Sequence, residues 1–324
     1  MNNEMREFLD SEYTHWSDMP KEDRITVFSF GGGVDSTGML FEFDRQGYMP
    51  DLLIFADTGG ERPDIYSHIE KLNKWLDKKW SKQIIIVKNK ETLYDECIRR
   101  ETLPALAMGF HTCSQKHKIR PIAKYLRANG HRKIIKILGF DALEFDRARR
   151  GLTSVENGKN TEESGIDLKV WFPLIEWGKT REDLKKEINE VGFCASKSSC
   201  FFCPAMSRGE VRQLDQHYPE LMEKALKMER GAIKNDFLVN EALKESCEKI
   251  CIELGEHKHF YTSLDEDEWL EFISNAGFEF MKRPRPTKKG LGRSWNWEKE
   301  LNQMEFWTVD EMKDNPQTCG CLNW

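Results

Sequence analysis

Short apolar runs alternate with amphipathic segments over the first half of the chain. The apolar runs are rich in β-branched and aromatic residues and predict five strands, at 25–30, 51–57, 83–87, 133–139 and 169–175. Segments with helical spacing lie between them, near 36–47, 62–79, 92–100 and 118–129. Strands that alternate with helices predict βαβ units, and strands that are apolar throughout predict a sheet covered on both faces. We therefore expect an α/β fold with a doubly wound, parallel, five-stranded sheet.

The pattern changes near residue 190, where a cysteine-rich stretch gives way to helical periodicity. Leu221, Ala225 and Met228 fall on one face of a predicted helix. The first 23 residues are polar. We expect four segments, which are an N-terminal arm at 1–23, the α/β domain at 24–190, a cysteine-rich loop at 191–210 and a helical C-terminal region at 211–324.

A glycine-rich stretch, Ser29-Phe-Gly-Gly-Gly-Val-Asp-Ser-Thr37, follows the first predicted strand and opens a helix. Glycines let the backbone approach a ligand closely, and the first amides of a helix attract an anion. Ser36 and Thr37 add hydroxyl donors. Because ligands of parallel α/β sheets bind beyond the carboxyl ends of the strands, the stretch predicts a phosphate site.

Alternatives to a pyrophosphate loop remain open from the residues alone. A Walker A loop needs a lysine that this stretch lacks. A dinucleotide fingerprint fits Gly31 and Gly33, with Asp57 as the ribose-binding acid, but Ser36 takes the place of its third glycine. A glycine-rich turn without a ligand is the remaining interpretation.

Residues Gly31–Thr37 resemble the PP-loop of the ATP pyrophosphatases, and specifically that of the phosphoadenosine phosphosulfate (PAPS) reductase-like branch. Three further stretches are similar to motifs of that branch and follow in the same order, at Phe55–Asp64, Cys113–Pro121 and Gly139–Arg147. The chain also resembles the DNA phosphorothioation sulfurtransferases. It departs from the loop pattern at Gly31, where a serine is usual, and at Val34, where a basic residue is frequent.

The resemblance implies an adenine nucleotide alpha-hydrolase-like fold that binds ATP and Mg²⁺. The implied reaction begins with attack on the α-phosphate of ATP, which forms an adenylated intermediate and releases pyrophosphate. The adenylated group would then accept sulfur, on a nucleotide or a nucleic acid. Asp35 is the implied catalytic residue, and Asp35 and Asp57 are candidate Mg²⁺ ligands. The implied nucleotide-binding set is Ser29, Gly31, Gly32, Gly33, Asp35, Ser36, Thr37, Asp57, Thr58, Lys116, Arg120, Gly139, Glu144, Arg147 and Arg150.

Cysteines form the second motif, Cys194-x5-Cys200-x2-Cys203-Pro204. Three close thiols and a distant fourth could complete a four-cysteine metal site, and Cys113 is the natural fourth. Spacing does not decide between an iron–sulfur cluster, zinc and thiols without a metal. In adenosine phosphosulfate reductases and in DNA phosphorothioation proteins, similarly placed cysteines hold a 4Fe-4S cluster, so the resemblance favours that cofactor over zinc.

The chain ends in a Cys319-Gly-Cys321 pair, which resembles the nucleophilic tail of the reductases. Gln317 and Thr318 stand where that tail carries an acid. A flexible tail thiol can attack sulfur or carry a persulfide, so both cysteines are candidate catalytic residues. An incidental pair at the chain end is the alternative.

The composition of the chain limits which partners it could bind. With 49 basic and 55 acidic residues the net charge is −6, so a nucleic acid would have to meet a local basic patch. No apolar run approaches the ~20 residues that span a bilayer. The N-terminus lacks the pattern of a signal peptide. Nine cysteines without an export signal predict a reducing compartment. We therefore expect a cytoplasmic protein without a membrane partner.

Three functions follow from these motifs. The first is a PAPS reductase-like PP-loop enzyme that adenylates a substrate for sulfur transfer, with a nucleic acid or a sulfur-donor protein as further partner. The second is a sulfonucleotide reductase with Cys319 or Cys321 as nucleophile. The third is a nucleotide-binding iron–sulfur subunit without catalytic activity.

Overall fold

Five parallel strands form one sheet in the computed structural model, in the order β3-β2-β1-β4-β5. The strands are β1 Ile25–Phe30, β2 Leu52–Asp57, β3 Ile84–Lys88, β4 Lys133–Ile137 and β5 Asp167–Trp171. In the register, Val27 lies beside Leu52 on one side of β1, and Ile25 lies beside Ile134 on the other. The predicted α/β fold with a doubly wound parallel sheet is confirmed.

The structure describes residues 8, 15–108, 112–156, 163, 165–195, 197–232, 291, 297–298 and 301. These residues divide into two compact units. The first holds the described residues up to Glu96 and those between Thr112 and Cys203, and therefore contains the whole sheet. The second holds the described residues from Cys97 to Met108 and those from Pro204 onward.

Helices connect the strands and continue after the last one. Their bounds are α1 Val34–Arg45, α2 Pro63–Trp80, α3 Leu93–Arg99, α4 Arg120–Ala128, α5 Phe145–Glu156, α6 Pro173–Glu176, α7 Arg181–Glu190, α8 Arg208–His217 and α9 219–232. A helical turn at Thr112–Ser114 and a π-helical stretch at Gln115–Ile119 lead directly into α4. No helix among the described residues is long and apolar enough to cross a membrane.

The fifth strand is shorter than its apolar run predicts. It ends at Trp171, and Pro173 begins helix α6 instead of extending the strand to residue 175. Proline has no N–H for the sheet ladder but suits the first turn of a helix, which explains the early end. Helices α5 and α7 were not among the segments that the pattern predicted.

Helices α1 and α7 pack closely, and this contact positions the start of α1. A Cβ on Gly38 of α1 would lie 2.7 Å from the Cβ of Leu184 of α7, so only glycine fits there. Leu184 is fully buried in the core cluster that covers one face of the sheet, together with Phe28, Phe43 and Phe172. Helix α7 begins with a capping box, in which the Thr180 side chain accepts a hydrogen bond from the Asp183 amide.

Candidate functional site

The glycine-rich stretch forms a tight turn between β1 and α1. Strand β1 ends at Phe30, Gly33 caps helix α1, and Gly32 has a φ of +77°, a conformation that favours glycine. A Cβ on Gly32 would also lie 3.0 Å from the side chain of Ile65. The first amides of α1 have no partners within the helix, so the turn presents donors to an anion.

A pocket of about 50 Å³ opens beside this turn, at the carboxyl ends of the three central strands. Its wall includes Ser29 and Gly31 from β1 and the turn, Ala56 from β2 and Lys136 from β4. The Ser29 hydroxyl is buried and has no hydrogen-bond partner among the described residues. A buried hydroxyl without a hydrogen-bond partner in the described protein could bond a polar ligand, and the nucleotide-binding role of Ser29 stays a prediction.

The remaining hydroxyls of the turn have partners in α1 and α2. Ser36 donates from its Oγ to the Gly33 carbonyl oxygen at 3.1 Å. Thr37 is fully buried, and its Oγ1 lies 2.9 Å from Nε2 of His68 in α2. Burial, with the nearby charge of Lys71, lowers the pKa of His68. His68 could not be singled out from the sequence, because a histidine within an amphipathic helix carries no signal of this contact.

His68 also borders a second cleft, of about 670 Å³, between α2 and the loop after α7. Lys71, Phe193 and Cys194 line it as well.

Asp35, the predicted catalytic residue, is held by an arginine that belongs to no sequence motif. The Nε of Arg181 donates to Asp35 Oδ1 at 2.8 Å, and Nη2 of the same guanidinium donates to Oδ2. This bidentate ion pair joins the first residue of α7 to the first turn of α1. The pair raises the pKa of Arg181, chiefly through the hydrogen bonds to Asp35.

The segment after β4 places further charges near this pair. Gly139, two residues after β4, faces the start of α1: a Cβ there would lie 3.3 Å from the Met39 side chain and 3.8 Å from the backbone of Asp35 and Ser36. Glu144 forms a capping box with Asp141 and accepts a hydrogen bond from Arg147 Nη1 at 2.7 Å. Burial, with Glu144 and then Asp35 as weaker contributors, raises the pKa of Asp141.

The predicted basic residues do not all lie in one place. The Arg147 guanidinium lies over the Phe140 ring at 4.6 Å, whereas Arg150 is exposed. Lys116 forms an ion pair with Glu96, and Arg120 is exposed at the start of α4. The structure therefore ties Arg147 and Lys116 to carboxylates of the chain itself.

Asp57 and Thr58 lie at the carboxyl end of β2. Asp57 accepts hydrogen bonds from the Gly59 amide and from the Tyr66 hydroxyl, both at 2.8 Å. Thr58 is buried, and its Oγ1 lies 3.1 Å from the Sγ of Cys200. The cysteine motif thus contacts the loop that follows β2.

The cysteine-rich loop docks on the glycine-rich turn and on the loop after β2. Cys200 forms an antiparallel bridge with Glu61, and the Phe201 amide donates to the Gly60 carbonyl oxygen at 2.7 Å. Ser198 covers the turn, because a Cβ on Gly33 would lie 3.0 Å from its Oγ. A phosphate at the start of α1 would therefore lie beside the hydroxyl of Ser198.

The four predicted metal ligands differ in exposure. Cys200 and Cys203 are buried and share a tight turn, in which the Cys203 amide donates to the Cys200 carbonyl oxygen at 2.9 Å. Cys113 is half-buried and Cys194 is exposed. Within the described part of the chain, no three cysteine, histidine or carboxylate side chains are arranged to hold a metal ion. As placed, the four thiols do not fit a cluster, and the four-cysteine site stays a prediction.

The C-terminal pair, Cys319 and Cys321, lies outside the described residues, so its predicted catalytic role also stays a prediction.

Comparisons with known proteins give distant matches. No protein-family profile matches the chain. Two uncharacterized proteins of Methanocaldococcus jannaschii, MJ0973 and MJ0066, are 25% identical over 205 residues and 24% identical over 208 residues. These alignments cover 60% and 63% of this chain but 45% and 41% of the relatives. The chain therefore spans less than half the length of the curated relatives it matches.

Among solved structures, the chain is similar to the U34-tRNA thiolase NcsA from Methanococcus maripaludis with its 4Fe-4S cluster. The sequence identity is 15% and the TM-score 0.39, over 70% of this chain and 78% of the other. At this level of similarity the match carries no argument about what this chain binds or does.

Proposed function

We propose that the first unit is a PP-loop enzyme that binds ATP at the start of α1 and supports sulfur transfer to a nucleotide or nucleic acid. In the proposed reaction an oxygen of the acceptor attacks the α-phosphorus. The bond from that phosphorus to the oxygen bridging it to the β-phosphorus breaks, and pyrophosphate leaves with that oxygen. The adenylated acceptor is then open to attack by a sulfur nucleophile, which releases AMP.

The observation that carries the proposal is the docking of the cysteine-rich loop on the glycine-rich turn. Ser198 lies against Gly33, and Cys200, two residues further along the same loop, lies against Thr58 at the end of β2. The orphaned hydroxyl of Ser29 in the neighbouring pocket supports the same proposal, because it offers a hydrogen bond to a ligand.

The chain's own groups would bind and orient the nucleotide. The free amides of α1 and the hydroxyl of Ser198 would hold the phosphates, joined by the Ser36 hydroxyl once its proton turns from the Gly33 carbonyl oxygen to the ligand. Charge stabilisation by such donors would supply rate. Asp57, half-exposed at the end of β2, is the carboxylate best placed to meet a hydrated Mg²⁺. When bound, Mg²⁺ would neutralise charge on the phosphate oxygens.

Nucleotide binding and cleavage test the proposal on the full chain. Equilibrium binding should favour ATP over GTP, and ATP with Mg²⁺ and an acceptor RNA should yield AMP and pyrophosphate. Ser36→Ala removes a donor to a charged group and should weaken ATP binding about tenfold. Ser17→Ala, at an exposed serine that bonds only Asp18 among the described residues, should change nothing.

Two results would reject the proposal. One is wild-type protein that does not bind ATP. The other is sulfite release from adenosine phosphosulfate with reduced thioredoxin while ATP stays uncleaved, which would favour a sulfonucleotide reductase. The predicted cluster is tested separately, by iron and sulfide content and the visible spectrum of anaerobically purified protein. A visible band that persists in Cys200→Ala would reject Cys200 as a ligand.

A further inference from the structure

Arg181 occupies a fixed place beside the proposed phosphate site. It is the first residue of α7, directly after the Thr180 cap, and α7 is pinned to α1 where Leu184 meets Gly38. Its guanidinium binds both oxygens of Asp35, which lies in the first turn of α1. Its side chain is 29% exposed and that of Asp35 is 18% exposed, so the pair lies partly out of water.

Carboxylates outnumber cations around this guanidinium. Asp35 is bound to it directly, and Glu144 and Asp141 lie close enough to raise its pKa further. Among the described residues, Arg147 is a further cation of this cluster, and it forms an ion pair with Glu144. Val34 carries no charge, at a position where the PP-loop that this stretch resembles often has a basic residue.

We infer that Arg181 sets the charge of the anion site: by neutralising Asp35, it lets the start of α1 accept the polyphosphate of a nucleoside triphosphate. The inference rests on the proposed function. A bare Asp35 carboxylate one turn from the phosphates would repel them, and the repulsion would grow with the number of phosphates. Arg181 is thus a positioning residue, which acts on the ligand through Asp35.

The test measures equilibrium binding of AMP, ADP and ATP to the full chain in EDTA, so that no metal ion contributes. The variants are Arg181→Gln, Asp35→Asn and the double variant Asp35→Asn/Arg181→Gln. The matched control is Arg45→Gln. Arg45 also joins α1 to α7, through Glu187, but at the opposite end of α1.

We expect Arg181→Gln to weaken ATP binding about tenfold, with a smaller loss for ADP and the smallest for AMP. The double variant should recover ATP binding to within about threefold of wild type, because removal of both charges restores the balance. Arg45→Gln should bind all three nucleotides as wild type does.

Other outcomes would overturn the inference. A loss that is equal for AMP, ADP and ATP would show a structural role. A graded loss without recovery in the double variant would show that Arg181 contacts phosphate directly and does not act through Asp35. Should Arg181→Gln not fold, Arg181→Lys, which keeps the charge, must bind ATP more tightly than Arg181→Met does. Wild-type protein that binds no nucleotide would reject the proposed function as well, whereas unchanged binding in Arg181→Gln would reject the inference alone.

Discussion

The hydroxyl of Thr58 and the thiol of Cys200 lie 3.1 Å apart, although 142 residues separate them along the chain. Both side chains are buried. The contact joins the loop after β2 to the cysteine-rich loop, and the bridge between Glu61 and Cys200 continues it. Cys200 therefore takes its position from the loop at the carboxyl end of β2, the strand beside the one that carries the glycine-rich turn.

Replacement of Thr58 by valine should loosen the cysteine-rich loop. The change keeps the shape of the side chain but removes one buried hydrogen bond, so we expect a loss of about 1 kcal/mol in the free energy of unfolding. Alkylation of Cys200, followed by mass spectrometry, should become several times faster. Thr26→Val is the control. Thr26, near the start of β1, is also buried, but it bonds Asp51, the residue before β2. It should destabilise the protein without faster alkylation of Cys200, and equal rates in the two variants would contradict the prediction.

Replacement of Gly33 by alanine should displace Ser198. The new methyl group would lie 3.0 Å from the Ser198 Oγ and 3.4 Å from its amide nitrogen. Such overpacking costs about 1–3 kcal/mol, which urea unfolding would measure. The double variant Gly33→Ala/Ser198→Gly should recover most of this loss. Gly151→Ala is the control, because a methyl group there meets nothing within 4 Å and the residue lies inside helix α5. The absence of recovery in the double variant would place the clash elsewhere.

Local sequence patterns were enough to predict the sheet and the position of the turn. The apolar runs predicted all five strands, and the three central strands β1, β2 and β4 are largely buried, as apolar runs in a covered parallel sheet should be. The glycines of residues 31–33 fell at the end of β1, as the structure confirms. These features depend on residues that are neighbours in the sequence.

Contacts between distant residues could not be predicted in the same way. The Asp35–Arg181 pair spans 146 residues, and an arginine at the start of a polar helix resembles any exposed arginine in the sequence. The same holds for Ser198, which lies in a serine-rich stretch without a motif of its own. Spacing suggested that Cys194 shares one site with Cys200 and Cys203, but the structure leaves Cys194 exposed and buries the other two. The spacing of cysteines in the sequence limits how far apart their thiols can lie, but the packing of the folded chain determines which of them are buried together.

His68 should make the stability of the protein depend on pH. Burial and the charge of Lys71 lower its pKa below the usual 6.5, while Asp64 acts weakly in the opposite direction. The unfolded chain then binds a proton more readily than the folded one. The free energy of unfolding should therefore fall as the pH drops below about 6.5, and level off below the pKa of the folded state.

Urea unfolding of wild type and His68→Gln between pH 5 and pH 8 checks this dependence. The variant should lose part of the slope, because glutamine can still bond Thr37 but does not titrate. His217→Gln, at an exposed histidine at the end of α8, should keep the slope of wild type. A slope that is the same in all three proteins would contradict the role of His68.

Lys136, which lines the pocket beside the glycine-rich turn, forms a buried ion pair with Glu163, and loss of either charge should destabilise the protein. Their charged atoms lie 2.6 Å apart, and each side chain is 5% exposed. Lys136→Met would leave a buried carboxylate without its cation, and we expect a loss of about 3–5 kcal/mol in the free energy of unfolding. Lys133→Met, on the same strand, breaks the exposed pair with Asp23 and should have little effect.

The double variant Lys136→Met/Glu163→Leu separates the value of the pair from the cost of breaking it. With both members of the pair replaced by apolar side chains, neither remains as a single buried charge, and we expect most of the stability to return. Urea unfolding of the two single variants and the double variant, at the same pH, provides the complete cycle. A double variant as unstable as Lys136→Met would show that the loss comes from packing in β4, and would reject the ion pair as its cause.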